Sequence, residues 1–173
     1  MKNYKRIEKL ITLWMAIHSI LILRVALGII FFWFGVLKFF PNLSSAEDLA
    51  VRTITKLSFG KMPADVSLIT LATWECLIGI GLIAGKYMRV TLVLLFLQMT
   101  GTLLPLFFFP RETFIYIPYA PTLVGQYIIK NFVIISGAIV LGATIRGGDV
   151  VADPKIAELA KKKEEREIEE LKS

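Results

Sequence analysis

The chain has 173 residues, of which 55% are hydrophobic, and it carries a formal net charge of +6. The apolar residues fall into runs that are too long for a soluble core of this size, so the bilayer must be their solvent. Most of the positive charge lies at the ends of these runs, where membrane topology explains it without a nucleic-acid partner. The single cysteine, Cys76, excludes an intramolecular disulfide.

Four apolar runs predict four transmembrane helices, at about 20–40, 67–85, 89–109 and 121–145. The start of the first span stays open, because residues 10–19 are also mostly apolar. Inside lipid every backbone N–H and C=O must be hydrogen-bonded within the protein, so the expected fold class is all-α, an integral membrane four-helix bundle. The chain then divides into a basic cytoplasmic or interfacial segment (1–19), a four-span membrane domain (20–146) and a charged cytoplasmic tail (147–173).

The distribution of Lys and Arg predicts the orientation of the bundle. Thirteen of these residues lie before span one, between spans two and three, or after span four, whereas four lie in the other two connections. Because cytoplasmic segments carry the excess of Lys and Arg, both termini are predicted to lie in the cytoplasm.

Two segments outside the spans have helical patterns. In the first outer loop a serine (Ser44 or Ser45) precedes two acids, as at a capped helix start, so we expect a short helix over the outer mouth of the bundle. Its predicted apolar face consists of Leu49, Val51, Ile54 and Leu57. The tail has Asp153 as a candidate cap and Pro154 after it, which predicts a cytoplasmic C-terminal helix with a solvated, charged surface.

The first span carries two cations on one helical stripe. The stripe residues, spaced by four, three, four and three, are Arg24, Gly28, Phe31, Gly35 and Lys38. At ~1.5 Å per residue the two cations lie ~21 Å apart along the helix axis. The stripe predicts that both cations face the bundle interior, although Lys38 alone is also typical of a lysine that snorkels from a helix end.

Polar residues of the other spans lie at similar predicted depths. Glu75 is the single acid in the predicted spans, Lys130 lies at nearly the same level in span four with Asn131 beside it, and Gln98 lies near mid-membrane in span three. Because ionised groups in hydrocarbon are costly unless paired, we expect these side chains to converge in the outer half of the bundle. Two interpretations are open: a Glu75–Lys130 pair that fixes helix register, or a site for a polar head group or a proton relay.

Other residue types narrow the chemistry. Trp74, beside Glu75, fits either a stacking wall for a flat ligand or core filling. The single histidine, His18, excludes bis-histidine haem ligation within the chain. The sequence has no metal-ligand cluster, Gly-rich phosphate loop or nucleophile elbow, so no metal site is predicted.

The pattern of charged residues and glycines resembles a known family. The residues that carry the resemblance are Arg24, Gly28, Gly35 and Lys38 in span one, then Glu75, Gly79, Gly81, Gly85 and Arg89. This order is similar to the DoxX-like superfamily of four-helix bacterial membrane proteins. The segment VGQYIIKNFVIISGAIVLGA most resembles the YkgB/RclC branch, whose members are linked to resistance to reactive chlorine. The resemblance implies a multi-pass protein of the bacterial inner membrane.

The sequence and the resemblance together predict a protein of redox or oxidative (reactive chlorine) stress that binds a small molecule, such as a quinone, in a polar intramembrane cavity. Glu75 is the candidate catalytic residue, for proton exchange. The candidate ligand-binding residues are Arg24, Lys38, Trp74, Gln98, Lys130 and Asn131. Two alternatives stay open: a non-catalytic subunit of a larger membrane complex, or a small proton-coupled transporter that acts as a homo-oligomer.

Overall fold

The computed structural model describes residues 2–40, 43, 47–145, 147, 148, 150, 162 and 166. The chain forms two compact units, Met1–Gly142 and Ala143–Ser173, and the packing described below belongs to the first. The predicted C-terminal helix from Asp153 and the predicted serine caps, Ser44 and Ser45, lie outside the described residues.

Helices dominate the described chain. The elements are α1 (Lys2–Leu37), α2 (Glu47–Leu57), α3 (Ala64–Ala84), α4 (Met88–Leu103), α5 (Pro105–Phe108), α6 (Pro110–Thr113), β1 (Phe114–Tyr116), β2 (Ala120–Pro121) and α7 (Leu123–Thr144). Two short strands, β1 and β2, pair in antiparallel fashion between α6 and α7. Within the described residues, four helical segments are long and apolar enough to cross a membrane: Tyr4–Leu37, Ala64–Ala84, Met88–Phe108 and Leu123–Thr144. The predicted all-α membrane bundle with four spans is therefore confirmed.

The first helix is much longer than the predicted first span. It runs unbroken for 36 residues, so the segment 1–19 that was assigned to a separate N-terminal region is helical from Lys2 and continuous with the span. Arg24 donates a hydrogen bond to the carbonyl of Leu82, near the C-terminal end of the antiparallel α3. The residues of α1 that precede Arg24 therefore extend ~33 Å beyond this end of α3. Residues 4–17 of that extension are all exposed.

Glycines bring α1 and α3 into backbone contact, and this pair makes the most extensive interface between helices. A Cβ atom at Gly79 would lie 2.5 Å from the backbone nitrogen of Phe32, and one at Gly35 would lie 2.9 Å from the backbone nitrogen of Cys76. These distances are too short for a real Cβ atom, so a larger residue at either position would displace a helix. Small residues are what permit such close approach in membrane bundles. The predicted inward stripe of α1 is confirmed: Gly28, Phe31 and Gly35 are buried.

The predicted helix in the first loop is confirmed as α2, which packs on α3 and α5. Its buried residues are Leu49 and Thr53, one turn apart, and the Thr53 hydroxyl donates to the Leu49 carbonyl. The predicted apolar face is wrong at Leu57, which is exposed in the last turn of the helix. Thr53 takes an inward position because its hydroxyl is satisfied within the helix and it shares the stripe of Leu49.

Candidate functional site

A buried ion pair joins α3 to the residue that follows α1. The ammonium nitrogen of Lys38 lies 2.6 Å from Oε2 of Glu75, and the Gln98 side chain of α4 donates a hydrogen bond of 3.0 Å to Oε1 of the same carboxylate. The two charged side chains are only 11% and 10% exposed. Three different segments of the chain therefore meet at one carboxylate, and we call this group the Lys38–Glu75–Gln98 cluster.

The local sequence explains why the cluster forms at this level. Gly35 lies one turn before Lys38, and its missing side chain lets α1 approach α3 beside Glu75. The Lys38 ammonium also donates to the carbonyl of Phe34 at 3.3 Å, which holds the side chain against the end of α1. Glu75 lies eleven residues after Ala64, the start of α3. At ~1.5 Å per residue the carboxylate is ~17 Å along a helix of ~31 Å, near its middle.

The cluster keeps hydrogen-bonding capacity after these contacts are made. An ammonium group has three N–H donors and a carboxamide has an oxygen acceptor as well as two donors. Within the residues that the structure describes, Lys38 uses two donors, and the Gln98 oxygen accepts no hydrogen bond. Among the described residues, one N–H of Lys38, one N–H of Gln98 and the Gln98 oxygen therefore remain unused beside the carboxylate.

Lys130 does not take part in this cluster, so the predicted Glu75–Lys130 pair is wrong. Lys130 is exposed, and its ammonium lies 5.2 Å from the ring centroid of Tyr127 on the same helix. Asn131 instead faces the bundle, where its amide donates to the Thr102 hydroxyl at 3.3 Å. Neighbouring residues of a helix point about 100° apart, so a helix that directs Asn131 inward directs Lys130 away. Depth alone, without the helix face, led to the wrong partner.

Trp74 and Arg24 hold neighbouring helices together away from the carboxylate. The indole N–H of Trp74 donates a hydrogen bond of 3.0 Å to the Leu94 carbonyl, which ties α3 to α4. The Arg24 guanidinium donates to the Leu82 carbonyl at 3.0 Å and occupies the space that a side chain at Gly85 would need. A cation at the C-terminal end of a helix satisfies free carbonyls and the negative end of the helix dipole. Arg24 therefore lies at the opposite end of the α1 stripe from the Lys38–Glu75–Gln98 cluster.

A second polar group, which the sequence did not reveal, joins α2 to α6. The Arg52 guanidinium donates two hydrogen bonds to the Glu112 carboxylate, at 2.8 and 2.5 Å, and also contacts Asp48 at 2.8 Å. The hydrogen bonds from Arg52, reinforced by its charge, lower the pKa of Glu112 below the usual range of a carboxylic acid. Arg52 and Glu112 are separated by 60 residues, so no sequence spacing signals the pair. Lys56 adds a cation–π contact, 4.7 Å from the Phe108 ring centroid.

Comparison with known proteins identifies the family to which the chain belongs. The DoxX family model matches residues 19–109, a range that includes every member of the Lys38–Glu75–Gln98 cluster and ends before Lys130. No match was found among curated proteins or among solved structures. The match covers more than half of the 173 residues, and the four spans fit the membrane bundle expected of it. On these grounds the chain belongs to the DoxX family.

Proposed function

We propose that this DoxX-family protein lies in the bacterial inner membrane with both termini in the cytoplasm, and that it acts in the response to oxidative stress, as in the YkgB/RclC branch. In this proposal the Lys38–Glu75–Gln98 cluster binds a small molecule with carbonyl oxygens, for which a quinone is the leading candidate. The resemblance of span four supports the branch, and the excess of Lys and Arg in the termini supports the orientation.

The observation that carries the proposal is the charged cluster near the middle of α3. Ionisable residues at this depth in a membrane helix are expensive, and they mark binding sites or proton pathways more often than they serve packing. The cluster also has a donor on Lys38 and an acceptor on Gln98 that no described residue uses.

The chemistry of the three side chains fits a quinone head group. The free N–H of Lys38 can donate to a carbonyl oxygen, and the Gln98 oxygen can accept from a ring hydroxyl in the reduced form. Glu75 lies between them and is the group that would exchange a proton with that hydroxyl. Trp74 precedes Glu75 in the same helix and is half-buried. Arg24, Lys130 and Asn131 are held elsewhere and are not assigned to this site.

Equilibrium binding of a short-chain benzoquinone to the purified protein in lipid nanodiscs tests the proposal. The informative variant is the exchange Lys38→Glu/Glu75→Lys, which preserves an ion pair but reverses its direction. We expect the exchange to keep the fold and to weaken binding at least tenfold, whereas the matched surface variant Asp65→Asn binds like the unaltered protein. Equal binding by the exchanged and unaltered proteins would show that the cluster does not hold the head group.

A specific observation favours a second candidate function, as a subunit of a larger membrane complex. Residues 4–17 of α1 are exposed beyond the end of α3, and this stretch includes Leu10, Ile11, Leu13, Trp14 and Ile17. An apolar helical surface of this length is typical of a surface that another polypeptide or the lipid covers. A stoichiometric second polypeptide that co-purifies with the full chain and is lost on Trp14→Glu would support this function.

A further inference from the structure

Lys130 is a cation within a membrane-spanning helix that faces away from its own bundle. It lies seven residues after Leu123, the first residue of α7, and it is exposed. Its ammonium sits against the ring of Tyr127, one turn nearer the start of the helix. At ~1.5 Å per residue, Tyr127 lies ~6 Å along the helix axis from the start of α7, just after its first turn. The lysine reaches toward the membrane edge without leaving the span.

The orientation of α7 is fixed by contacts on its opposite side. Asn131 donates to Thr102 of α4, and a side chain at Gly137 would meet Leu23 and Leu27 of α1 at 3.3 and 3.4 Å. These contacts direct the face of Lys130 outward, together with Gln126 and Tyr127, which are also exposed. We call the surface formed by Gln126, Tyr127 and Lys130 the α7 polar face.

No acid of the described spans is positioned to neutralise Lys130. The four spanning helices contain three acids, of which Glu8 and Asp65 lie near helix starts and Glu75 already binds Lys38. Among the described residues, the ring of Tyr127 is the contact that the Lys130 ammonium makes. A lysine in a membrane helix is costly when it faces lipid alone, and a carboxylate on a neighbouring helix is one of the partners that lower this cost.

We propose that the α7 polar face docks a transmembrane helix of another polypeptide, which carries an Asp or Glu at the level of Tyr127. Charge complementarity identifies the partner: the face offers one ammonium, an amide and a phenol, which together match a carboxylate. Interhelical hydrogen bonds and ion pairs are a main source of specificity between membrane helices, because apolar contacts to another helix and to lipid are similar. The inference is independent of what the Lys38–Glu75–Gln98 cluster binds.

The test uses a defined probe, a single-span polyleucine helix with one Glu placed a turn and a half inside its outer end. The matched probe carries Gln at the same position. Each probe is labelled with an acceptor fluorophore, and energy transfer from the labelled full-length protein is measured in zwitterionic lipid vesicles. We expect at least tenfold stronger association of the Glu probe than of the Gln probe, and we expect Lys130→Met to abolish that difference.

Control variants separate charge from general surface effects. Lys130→Arg should keep the preference for the Glu probe, because it keeps a cation at the same position, and Lys61→Met, outside the spans, should leave association unchanged. Equal association of the two probes, or a preference that survives in Lys130→Met, would overturn the proposal. Two other results would also overturn the proposal, because each identifies a different occupant. Loss of the preference for the Glu probe on adding anionic lipid would identify a lipid head group, and self-association that Asp65→Asn removes would identify a second copy of this chain.

Discussion

A double-mutant cycle on Lys38 and Glu75 measures how strongly the buried pair is coupled. Each side chain is about one-tenth exposed, and the two charged atoms lie 2.6 Å apart. Removing one partner of a buried pair leaves the other charge uncompensated, which costs about 3–5 kcal/mol. We therefore expect Lys38→Met and Glu75→Gln each to lower the free energy of unfolding by about 3 kcal/mol, the lower end of the range for buried ion pairs.

The double variant should be far less destabilised than the sum of the single variants. With both charges removed, the neutral Gln at position 75 can still bond Gln98, so we expect a total loss of about 3 rather than about 6 kcal/mol. The coupling energy of about 3 kcal/mol corresponds to about two orders of magnitude in the unfolding equilibrium.

The assay is reversible unfolding in mixed micelles, followed by circular dichroism of the helices. The exposed pair of variants Lys61→Met and Asp65→Asn serves as the matched control and should change the free energy of unfolding by less than about 0.5 kcal/mol each. If the losses of Lys38→Met and Glu75→Gln simply add in the double variant, the pair is not coupled in the membrane fold and the reasoning is refuted.

Three further outcomes follow from the same contacts. Gly79→Ala should cost about 1–3 kcal/mol of unfolding free energy, because the new methyl group meets the backbone of Phe32, and unchanged micelle unfolding would contradict the close crossing. Trp74→Phe removes a hydrogen bond to an α4 carbonyl and should cost about 1 kcal/mol in the same assay, so no loss would argue against that bond. Because the pKa of Glu112 is lowered in the folded protein, its pair with Arg52 contributes full stability above the pKa of the unfolded carboxyl group, and this contribution is lost as the pH falls through the folded-state pKa. The melting temperature of Glu112→Gln should therefore depend less on acidic pH than that of the unaltered protein. Parallel pH profiles of the two melting temperatures would contradict this prediction.

Hydropathy was sufficient to predict the spans, because crossing the hydrocarbon imposes a length and composition that few other structures share. The stripe from Arg24 to Lys38 likewise predicted the buried face of α1, since helical spacing fixes which residues share a side. The start of α1 was left open because residues 10–19 are also mostly apolar, and a helix that continues past the bundle shows no terminating signal in the sequence; α1 in fact begins at Lys2.

The partner of Glu75 was missed for a physical reason. Sequence position gives the depth of Lys130 but not its rotation about the helix axis, and Asn131 rather than Lys130 makes the inward contact. Lys38 was assigned to the end of span one, where snorkelling is common, yet α1 ends near the middle of α3 and places the lysine beside Glu75. The glycine at position 35, one turn before Lys38, was the available signal for that close approach.

The contact between Arg52 and Glu112 shows a different limit. Arg52 and Glu112 lie in different connections between spans, and their pairing depends on how α2 and α6 are positioned relative to each other. Local propensity predicts α2 from its acidic start and apolar spacing, but it contains no information about which distant residue the arginine meets.

The most direct test of the central proposal is native mass spectrometry of the protein released gently from its own membrane, with identification of any small molecule that dissociates from it. The unaltered protein and Asp65→Asn should carry a discrete carbonyl-bearing molecule, and the exchange Lys38→Glu/Glu75→Lys should fold and release none. Bare protein in all three samples, or the same molecule in all three, would contradict a binding site at the Lys38–Glu75–Gln98 cluster.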